Sequence, residues 1–304
     1  MQLTALSCGY AIPQADFDAT IHSVFENVVN LRPADSDLLL TLVAAGEADL
    51  PQGMRLDTPC GLSFEQLSAG KGIDCRGGSL IFENSSLTVD LRQARRWRCN
   101  LPALGTDLAE PATAQAWKST WKVLNELQTR LGVEIVAQAL PYSDRISQSA
   151  VSRRAGKAIC ILVDDTHRYR LDDLSILVNL IGLGSGLTPS GDDFLVGYLA
   201  GLWCAVRDSV ERRHFVDKLG QAVIQLSEQT NDISRTYLFH AAHGQVSGRL
   251  EALARAISRG ESPEQILPVA EFAMDSGHTS GMEAVTGLLF GLAAWEGEKT
   301  LLAG

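Results

Sequence analysis

The sequence has no run of apolar residues long enough to cross a membrane. Its longest apolar runs, near Leu195–Val206 and Ala284–Trp295, hold about a dozen residues, whereas a membrane-spanning helix needs about 20. The first residues, MQLTALSCGYAIPQADF, lack the positively charged segment and the apolar core of a signal peptide. We therefore expect neither membrane insertion nor secretion.

Paired cysteines and an excess of basic residues are also missing. The six cysteines are scattered without a Cys-x-x-Cys motif, which disfavours both a disulfide framework and a thiolate metal site. Lysine and arginine total 26 against 36 aspartate and glutamate residues, so the net charge is -10, and no basic stripe occurs. This charge disfavours nucleic acid as a partner. The composition predicts a reduced, cytoplasmic protein.

Common catalytic motifs are absent too. The sequence has no Walker loop, dinucleotide-binding fingerprint, Gly-x-Ser-x-Gly elbow or His-Glu-x-x-His zinc motif. His240 and His243 have no evident third metal ligand nearby, so we interpret them as structural. Thr230, Ser234 and Tyr237 follow a helical spacing and either line a cleft or face water. Any chemistry must therefore come from a less common arrangement.

The first part of the 304-residue chain reads as strands separated by turns. LIFENSSLTVDL, Leu80–Leu91, predicts a β-hairpin that turns at residues 84–86. We expect two helices to interrupt the strands, at Ala15–Asn30 and Asp35–Ala45. The sequence thus predicts a β-rich N-terminal domain over residues 1–108.

After Pro111 the pattern becomes helical. Apolar residues recur three and four positions apart from Trp117 to Leu131, ahead of Gly132, which is typical of a helix that buries one face. Further helical periods cover Arg212–Gln229, Val246–Gly260 and Pro263–Met274. The predicted fold class is α+β, with a mainly α-helical C-terminal domain over residues 109–304.

A repeat links two segments of the C-terminal domain. SGDDFLVGYLAGL, Ser190–Leu202, aligns without a gap with SGMEAVTGLLFGL, Ser280–Leu292. Glycine within a helix costs about 0.5–1 kcal/mol relative to alanine, so close packing has to offset the glycines that both copies share. We expect the two helices to cross at these positions, which are Gly197 and Gly201 in one copy and Gly287 and Gly291 in the other.

Each copy begins with a serine and has an acidic residue three positions later. Ser190 with Asp193, and Ser280 with Glu283, have the spacing of a capping box, in which the serine oxygen accepts from the third helix amide. Capping and packing would explain these residues without any ligand. If the helices cross as a pseudo-symmetric pair, we expect their N-termini to open toward a common cleft.

A glycine-rich loop precedes the first of these helices. The stretch GLGSG, Gly182–Gly186, is flexible enough to let a ligand approach main-chain amides. Helix amides and Thr188 favour an anion, whereas Asp192 and Asp193 oppose one. Either a divalent cation such as Mg²⁺ bridges these carboxylates to a phosphate, or the ligand also carries N–H donors, as a carbamoyl or amide group does.

These considerations define the candidate site. The predicted catalytic residues are Asp192 and His278, the latter because it lies at the mouth of the second helix. If a metal is bound, its predicted ligands are Asp192 and Asp193. The predicted substrate-binding residues lie in the loop and at the two helix starts: Gly184, Ser185, Gly186, Thr188, Ser190, Gly191, Thr279 and Ser280.

The block LIGLGSGLTPSGDDFLVGYLAGL resembles the signature of the DUF2877 family, also called the oxamate carbamoyltransferase subunit AllH-like family. TNDISRTYLFHAAHG and GHTSGMEAVTGLLFGL resemble its downstream blocks, and HSVFENVVNL near the N-terminus does so more loosely. The resemblance therefore spans most of the chain. Met282-Glu283 departs from it, since an acid nearer the serine is expected there, so the two helix starts need not be chemically equivalent.

This resemblance implies a place in purine and allantoin catabolism beside an FdrA-like protein and a DUF1116 protein. The implied reaction interconverts oxalurate and phosphate with oxamate and carbamoyl phosphate. In that scheme Gly184–Ser190 holds phosphate or carboxylate oxygens, Asp192 orients the amide or binds a metal, and His278 assists proton transfer.

Two other functions stay open on the sequence. One is a stand-alone, metal-assisted phosphate-handling enzyme that uses Asp192 and Asp193. The other is a non-catalytic assembly subunit whose glycines serve packing alone.

Overall fold

The computed structural model describes residues 1–131, 133–135 and 150–296. The chain divides into two compact units, Met1–Cys99 and Asn100–Gly304. The first is built of strands and the second of helices, which confirms the predicted α+β class.

The N-terminal unit is a closed β-barrel. Its strands are β1 (Gln2–Gly9), β2 (Phe17–Val24), β3 (Val28–Pro33), β4 (Leu40–Val43), β5 (Gly53–Leu56), β6 (Gly72–Arg76), β7 (Ser79–Phe82), β8 (Thr88–Asp90) and β9 (Arg95–Trp97). They pair in the order β5-β4-β3-β2-β6-β7-β8-β1-β9, and a further pairing of β5 with β1 closes the sheet. The barrel encloses apolar side chains such as Leu31, Leu42, Leu56 and Val89, which are fully buried. This unit therefore has its own hydrophobic core.

The predicted hairpin is confirmed. β7 and β8 pair antiparallel, with Leu80 opposite Val89. Asn84 in the turn has a φ of 58°, a left-handed conformation that asparagine tolerates better than most residues.

The two helices predicted in this unit are wrong. Residues 17–24 and 28–33 form β2 and β3, and residues 40–43 form β4. In β2, Ala19 and Ile21 are buried while Asp18 and Thr20 are exposed. This alternation has the period of a strand, and neighbouring strands stabilise segments that are individually short.

The C-terminal unit is built of helices. They are α1 (Pro111–Leu131), α2 (Ala150–His167), α3 (Ser175–Val178), α4 (Ser190–Cys204), α5 (Val210–Leu226), α6 (Asp232–Ala242), α7 (Gly248–Ser258), α8 (Pro263–Met274) and α9 (Ser280–Ala293). The helical segments predicted after residue 111 are confirmed as α1, α5, α7 and α8. α4 and α9 are buried on nearly every face, as expected of helices that are apolar all round.

The other helices pack around this central pair. The indole of Trp117 in α1 donates to the Leu289 carbonyl in α9 at 3.0 Å. The hydroxyls of Tyr198 in α4 and Thr166 in α2 lie 2.6 Å apart, fully buried. Buried polar groups are thus paired at the contacts that position α4 and α9.

The segment just after the barrel belongs with the helices. Residues Leu101–Leu104 form a 3-10 turn, and the Leu104 carbonyl accepts from the Ser258 hydroxyl at 2.9 Å. The Thr106 amide donates to the Cys204 carbonyl at 2.8 Å. These bonds explain why the units divide after Cys99, whereas the sequence predicts a boundary after residue 108.

No helix in the described part of the chain is long and apolar enough to cross a bilayer. None of the six cysteines, all of which lie in the described residues, forms a disulfide.

Candidate functional site

α4 and α9 cross with their backbones in contact. A methyl group added to Gly197 would lie 2.8 Å from the Leu288 nitrogen, and one added to Gly287 would lie 2.7 Å from the Tyr198 nitrogen. Real Cβ atoms essentially never approach other atoms within 3.0 Å. The second glycine of each pair meets its counterpart in the same crossing. The predicted glycine crossing is therefore confirmed.

The N-termini of the two helices lie side by side. Thr188, in the loop before α4, and Ser280, the first residue of α9, have their hydroxyl oxygens 2.7 Å apart. The Thr188 hydroxyl also donates to Asp193 Oδ2 at 2.9 Å. The two helix starts therefore meet, and hydroxyl groups join them there. That they open toward a common cleft stays a prediction.

The predicted capping boxes are wrong. The N-cap residue of α4 is Pro189 and that of α9 is Thr279, and neither makes a side-chain cap. Ser190 and Ser280 are instead the first residues inside their helices. Their hydroxyls bond to groups outside their own helix, so they link separate parts of the unit.

Main-chain carbonyl groups of the preceding loops accept hydrogen bonds from amides at the starts of α4 and α9. The Gly191 amide donates to the Leu183 carbonyl at 2.8 Å, and the Gly281 amide donates to the Ser276 carbonyl at 2.9 Å. Such bonds satisfy amides that a helix start otherwise leaves unpaired. Gly191, a predicted substrate-binding residue, therefore does not offer a free amide here.

Asp193 is buried where the two helix starts meet. Burial raises the pKa of Asp193 to about 8; hydrogen bonds from Ser280 and Thr188 lower the pKa, while repulsion from Glu283 and Asp192 raises it. At neutral pH the protonated form is therefore favoured. A neutral carboxyl bonded to two hydroxyls serves to join α4, α9 and the loop.

Glu283 is fully buried in the first turn of α9. Neither of its carboxyl oxygens has a hydrogen bond of ordinary length and angle from the described residues. Burial raises the pKa of Glu283 to about 7 and repulsion from Glu134 adds to this, whereas polar contacts with Ser190 and the main chain of Ile135 and Glu134 oppose it. The Ser190 hydroxyl itself donates to Glu134. Glu283 is thus a buried acid with only weak polar contacts among the described residues.

Asp192 holds the glycine-rich loop in place. The Gly182 amide donates to its Oδ1 at 2.8 Å and the Thr230 hydroxyl to its Oδ2 at 2.5 Å. Burial raises the pKa of Asp192, and the bonds from Thr230, Gly182 and Ser234 lower it. Two members of the predicted polar stripe, Thr230 and Ser234, thus face this carboxylate. The contacts favour a positioning role for Asp192, and its catalytic role stays a prediction.

A carboxylate of the same chain sits in the predicted anion-binding loop. Glu134 accepts from the Ser185 amide at 3.3 Å, from the Ser185 hydroxyl at 3.0 Å and from the Ser190 hydroxyl at 2.8 Å. A methyl group added to Gly184 would lie 2.7 Å from Glu134 Oε2, so glycine permits this approach. We call the donors of Ser185 and Ser190 the anion cradle.

Glu134 is the site residue that sequence reasoning missed. It lies soon after α1, far along the chain from Ser190, and no motif surrounds it. The carboxylate fills the place where the sequence predicts a cleft. Among the described residues, the carboxylate of Glu134 accepts the hydrogen bonds of the cradle. Binding of an anionic ligand there stays a prediction.

The remaining predicted residues are placed as follows. His278 is exposed on the loop between α8 and α9, and Gly186 is exposed in the glycine-rich loop. His240 is buried, and burial, with a smaller effect of His243, lowers its pKa to about 4, which agrees with a neutral structural residue.

The metal assignment gains no support from these contacts. Asp192 and Asp193 turn to different hydrogen-bond donors. In the described residues no group of three or more histidine, cysteine, aspartate or glutamate side chains is arranged to hold a metal ion. Mg²⁺ binding by Asp192 and Asp193 stays a prediction.

Comparisons with known proteins now add to this geometry. A family model described as oxamate carbamoyltransferase subunit AllH matches residues 180–292, and a model of the AllH family N-terminal domain matches residues 4–96. The first match covers the glycine-rich loop, α4 and α9, and the second covers most of the barrel. No curated protein and no solved structure matches the chain.

Proposed function

Because this chain belongs to the AllH family of oxamate carbamoyltransferase subunits, we propose that it is the subunit that binds a small anionic reactant of carbamoyl transfer. The reactants in question are carbamoyl phosphate, oxamate and oxalurate, and the setting is purine and allantoin nitrogen catabolism in the cytoplasm. The subunits proposed to complete the enzyme are an FdrA-like protein and a DUF1116 protein.

One observation carries this proposal. The Ser185 amide and the Ser185 and Ser190 hydroxyls already surround a carboxylate, that of Glu134. Donors arranged for a carboxylate suit the carboxylate of oxamate or oxalurate and the phosphoryl group of carbamoyl phosphate equally well.

The reaction needs orientation and charge stabilisation more than a nucleophilic side chain. A phosphate oxygen attacks the carbamoyl carbon of oxalurate, the bond from that carbon to nitrogen breaks, and the nitrogen of the departing oxamate takes the proton that phosphate carried. Hydrogen-bond donors of the loop and of the start of α4 stabilise the charge that develops at the carbamoyl oxygen. In this scheme His278 carries the proton, and Asp192 positions the loop.

Reconstitution of the three-subunit complex tests the proposal. Replacing Ser185 or Ser190 with alanine removes a donor to a charged group, so we expect kcat/KM for carbamoyl transfer to fall about tenfold to a hundredfold. The exposed Ser68 of the barrel provides a matched control, Ser68→Ala. Full activity of both cradle variants would contradict the proposed site. Activity of the partners without this chain would indicate an assembly subunit instead.

A further inference from the structure

The anion cradle and Glu283 are neighbours with opposite preferences. The cradle presents hydrogen-bond donors, and its Ser190 lies beside Glu283 as well as donating to Glu134. Glu283 presents only acceptors when ionised. A ligand that satisfies both must therefore carry acceptor oxygens and N–H groups close together.

Glu134 satisfies only the first half of this requirement. Its carboxylate accepts from the three cradle donors, but it has no N–H or O–H to offer Glu283 when ionised, and its charge repels that residue. Buried carboxyl groups in folded proteins are normally hydrogen-bonded. Glu283 is 0% exposed, and among the described residues neither of its oxygens has a hydrogen bond of ordinary length and angle, although Ser190 and the main chain of Ile135 and Glu134 lie near it.

We propose that Glu134 occupies the position of the ligand's anionic group and that Glu283 accepts a hydrogen bond from an N–H group of the same ligand. The ligand class is a small carboxylate or phosphate with a primary amide or carbamoyl group adjacent to it. The proposal rests on the proposed function only for the location of the site. Glu134 is then an internal competitor that the ligand displaces, and Glu283 determines specificity for the nitrogen.

Oxamate and oxalate form a matched pair of probes, since they differ by an amide in place of one carboxylate. Calorimetric titration of the full chain at about pH 8, above the range in which Glu283 takes up its proton, measures both affinities. We expect wild-type protein to prefer oxamate. Glu283→Gln adds an N–H donor that suits oxalate, so the oxamate-to-oxalate preference should fall about tenfold.

Removing the competitor should act on both probes alike. A group that occupies the cradle nine-tenths of the time weakens the apparent affinity about tenfold, so Glu134→Gln and Glu134→Ala should tighten both ligands by about that factor. Glu126→Gln makes the same charge change at an exposed position of α1 and should leave both affinities unchanged. Circular dichroism and melting curves establish that each variant is folded.

Three results would overturn the inference: an unchanged preference in folded Glu283→Gln, no gain in affinity for either Glu134 variant over Glu126→Gln, or no binding of either probe to any variant. Carbamoyl transfer by the reconstituted complex is measured separately. Transfer without the expected binding pattern refutes the inference and leaves the proposed function standing, whereas the binding pattern without transfer refutes the proposed function alone.

Discussion

Alanine at position 197 is expected to force α4 and α9 apart. The added methyl group would lie within 3.0 Å of main-chain atoms of Ala284 and Leu288, and main-chain atoms cannot rotate away as a side chain does. Opening the crossing by about 1 Å forfeits a quarter to a half of each dispersion contact. Overpacking costs about 1–3 kcal/mol and occasionally more, against a gain of about 1 kcal/mol in helix propensity. Because the added methyl group meets main-chain atoms that cannot move aside, we take an overpacking cost of about 4 kcal/mol, above the common range, and expect Gly197→Ala to lower the free energy of unfolding by about 3 kcal/mol.

Thermal unfolding monitored by far-UV circular dichroism measures this change. For a unit of about 200 residues, a loss of 3 kcal/mol lowers the Tm by about 6–12 °C. Gly46→Ala is the control, because nothing lies within 4 Å of its added methyl group. Adding Gly287→Ala to Gly197→Ala should cost less than the sum of the two, since both methyl groups open one crossing. If Gly197→Ala melts within about 1 °C of wild type, the argument for backbone contact fails.

Two further predictions concern the buried acids. Burial raises the pKa of Glu283 from 4.5 to about 7, so the stabilisation that its proton provides is complete below pH 4.5 and is lost as pH rises through 7. Urea unfolding should show a contribution from Glu283 of roughly 3 kcal/mol to the decrease in stability across this window, on top of the decrease that Asp193, whose pKa is raised to about 8, causes over an overlapping range. Glu283→Gln should therefore make the decrease smaller by roughly 3 kcal/mol; a decrease equal to that of the wild type would refute the assignment. Asp192→Asn places an NH₂ group against a donor, so it should destabilise the helical unit by about 1–3 kcal/mol and speed proteolysis near Leu187, which is 69% exposed. An unchanged melting temperature and cleavage rate would remove the positioning role.

The glycine crossing was predictable because it depends on a mechanical property of a few residues. Four glycines in two aligned helices are unfavourable unless backbones touch, and the structure shows this contact at Gly197 and Gly287. Spacing alone could not show that the two capping boxes do not form. Carbonyl groups of the preceding loops accept hydrogen bonds from amides at the two helix starts. The tertiary fold sets the path of these loops and so brings the carbonyl groups into reach.

The same limit explains the other differences. The sequence wrongly predicts a helix in the region of β2 and β3. Short strands are stabilised by pairing with strands distant in sequence, and the local pattern does not contain that information. Glu134 carries no local signal, and its role depends on a fold that brings it to Ser185 and Ser190. Glu283 was visible in the repeat, but spacing could not show that its oxygens have no hydrogen bond of ordinary length and angle from the described residues.

Asp193 and Glu283 occupy the same position in the first turns of α4 and α9, but their hydrogen-bond contacts differ. Asp193 is bonded by the first serine of the opposite helix and by Thr188, whereas Glu283 borders the first serine of its opposite helix, which gives its proton elsewhere. Of the two aligned helix starts, the first joins α4, α9 and the loop through Asp193, and the second leaves Glu283 without a hydrogen bond of ordinary length and angle from the described residues. The repeat is therefore chemically asymmetric where its helices start, so we expect one small ligand there and not two related by the repeat.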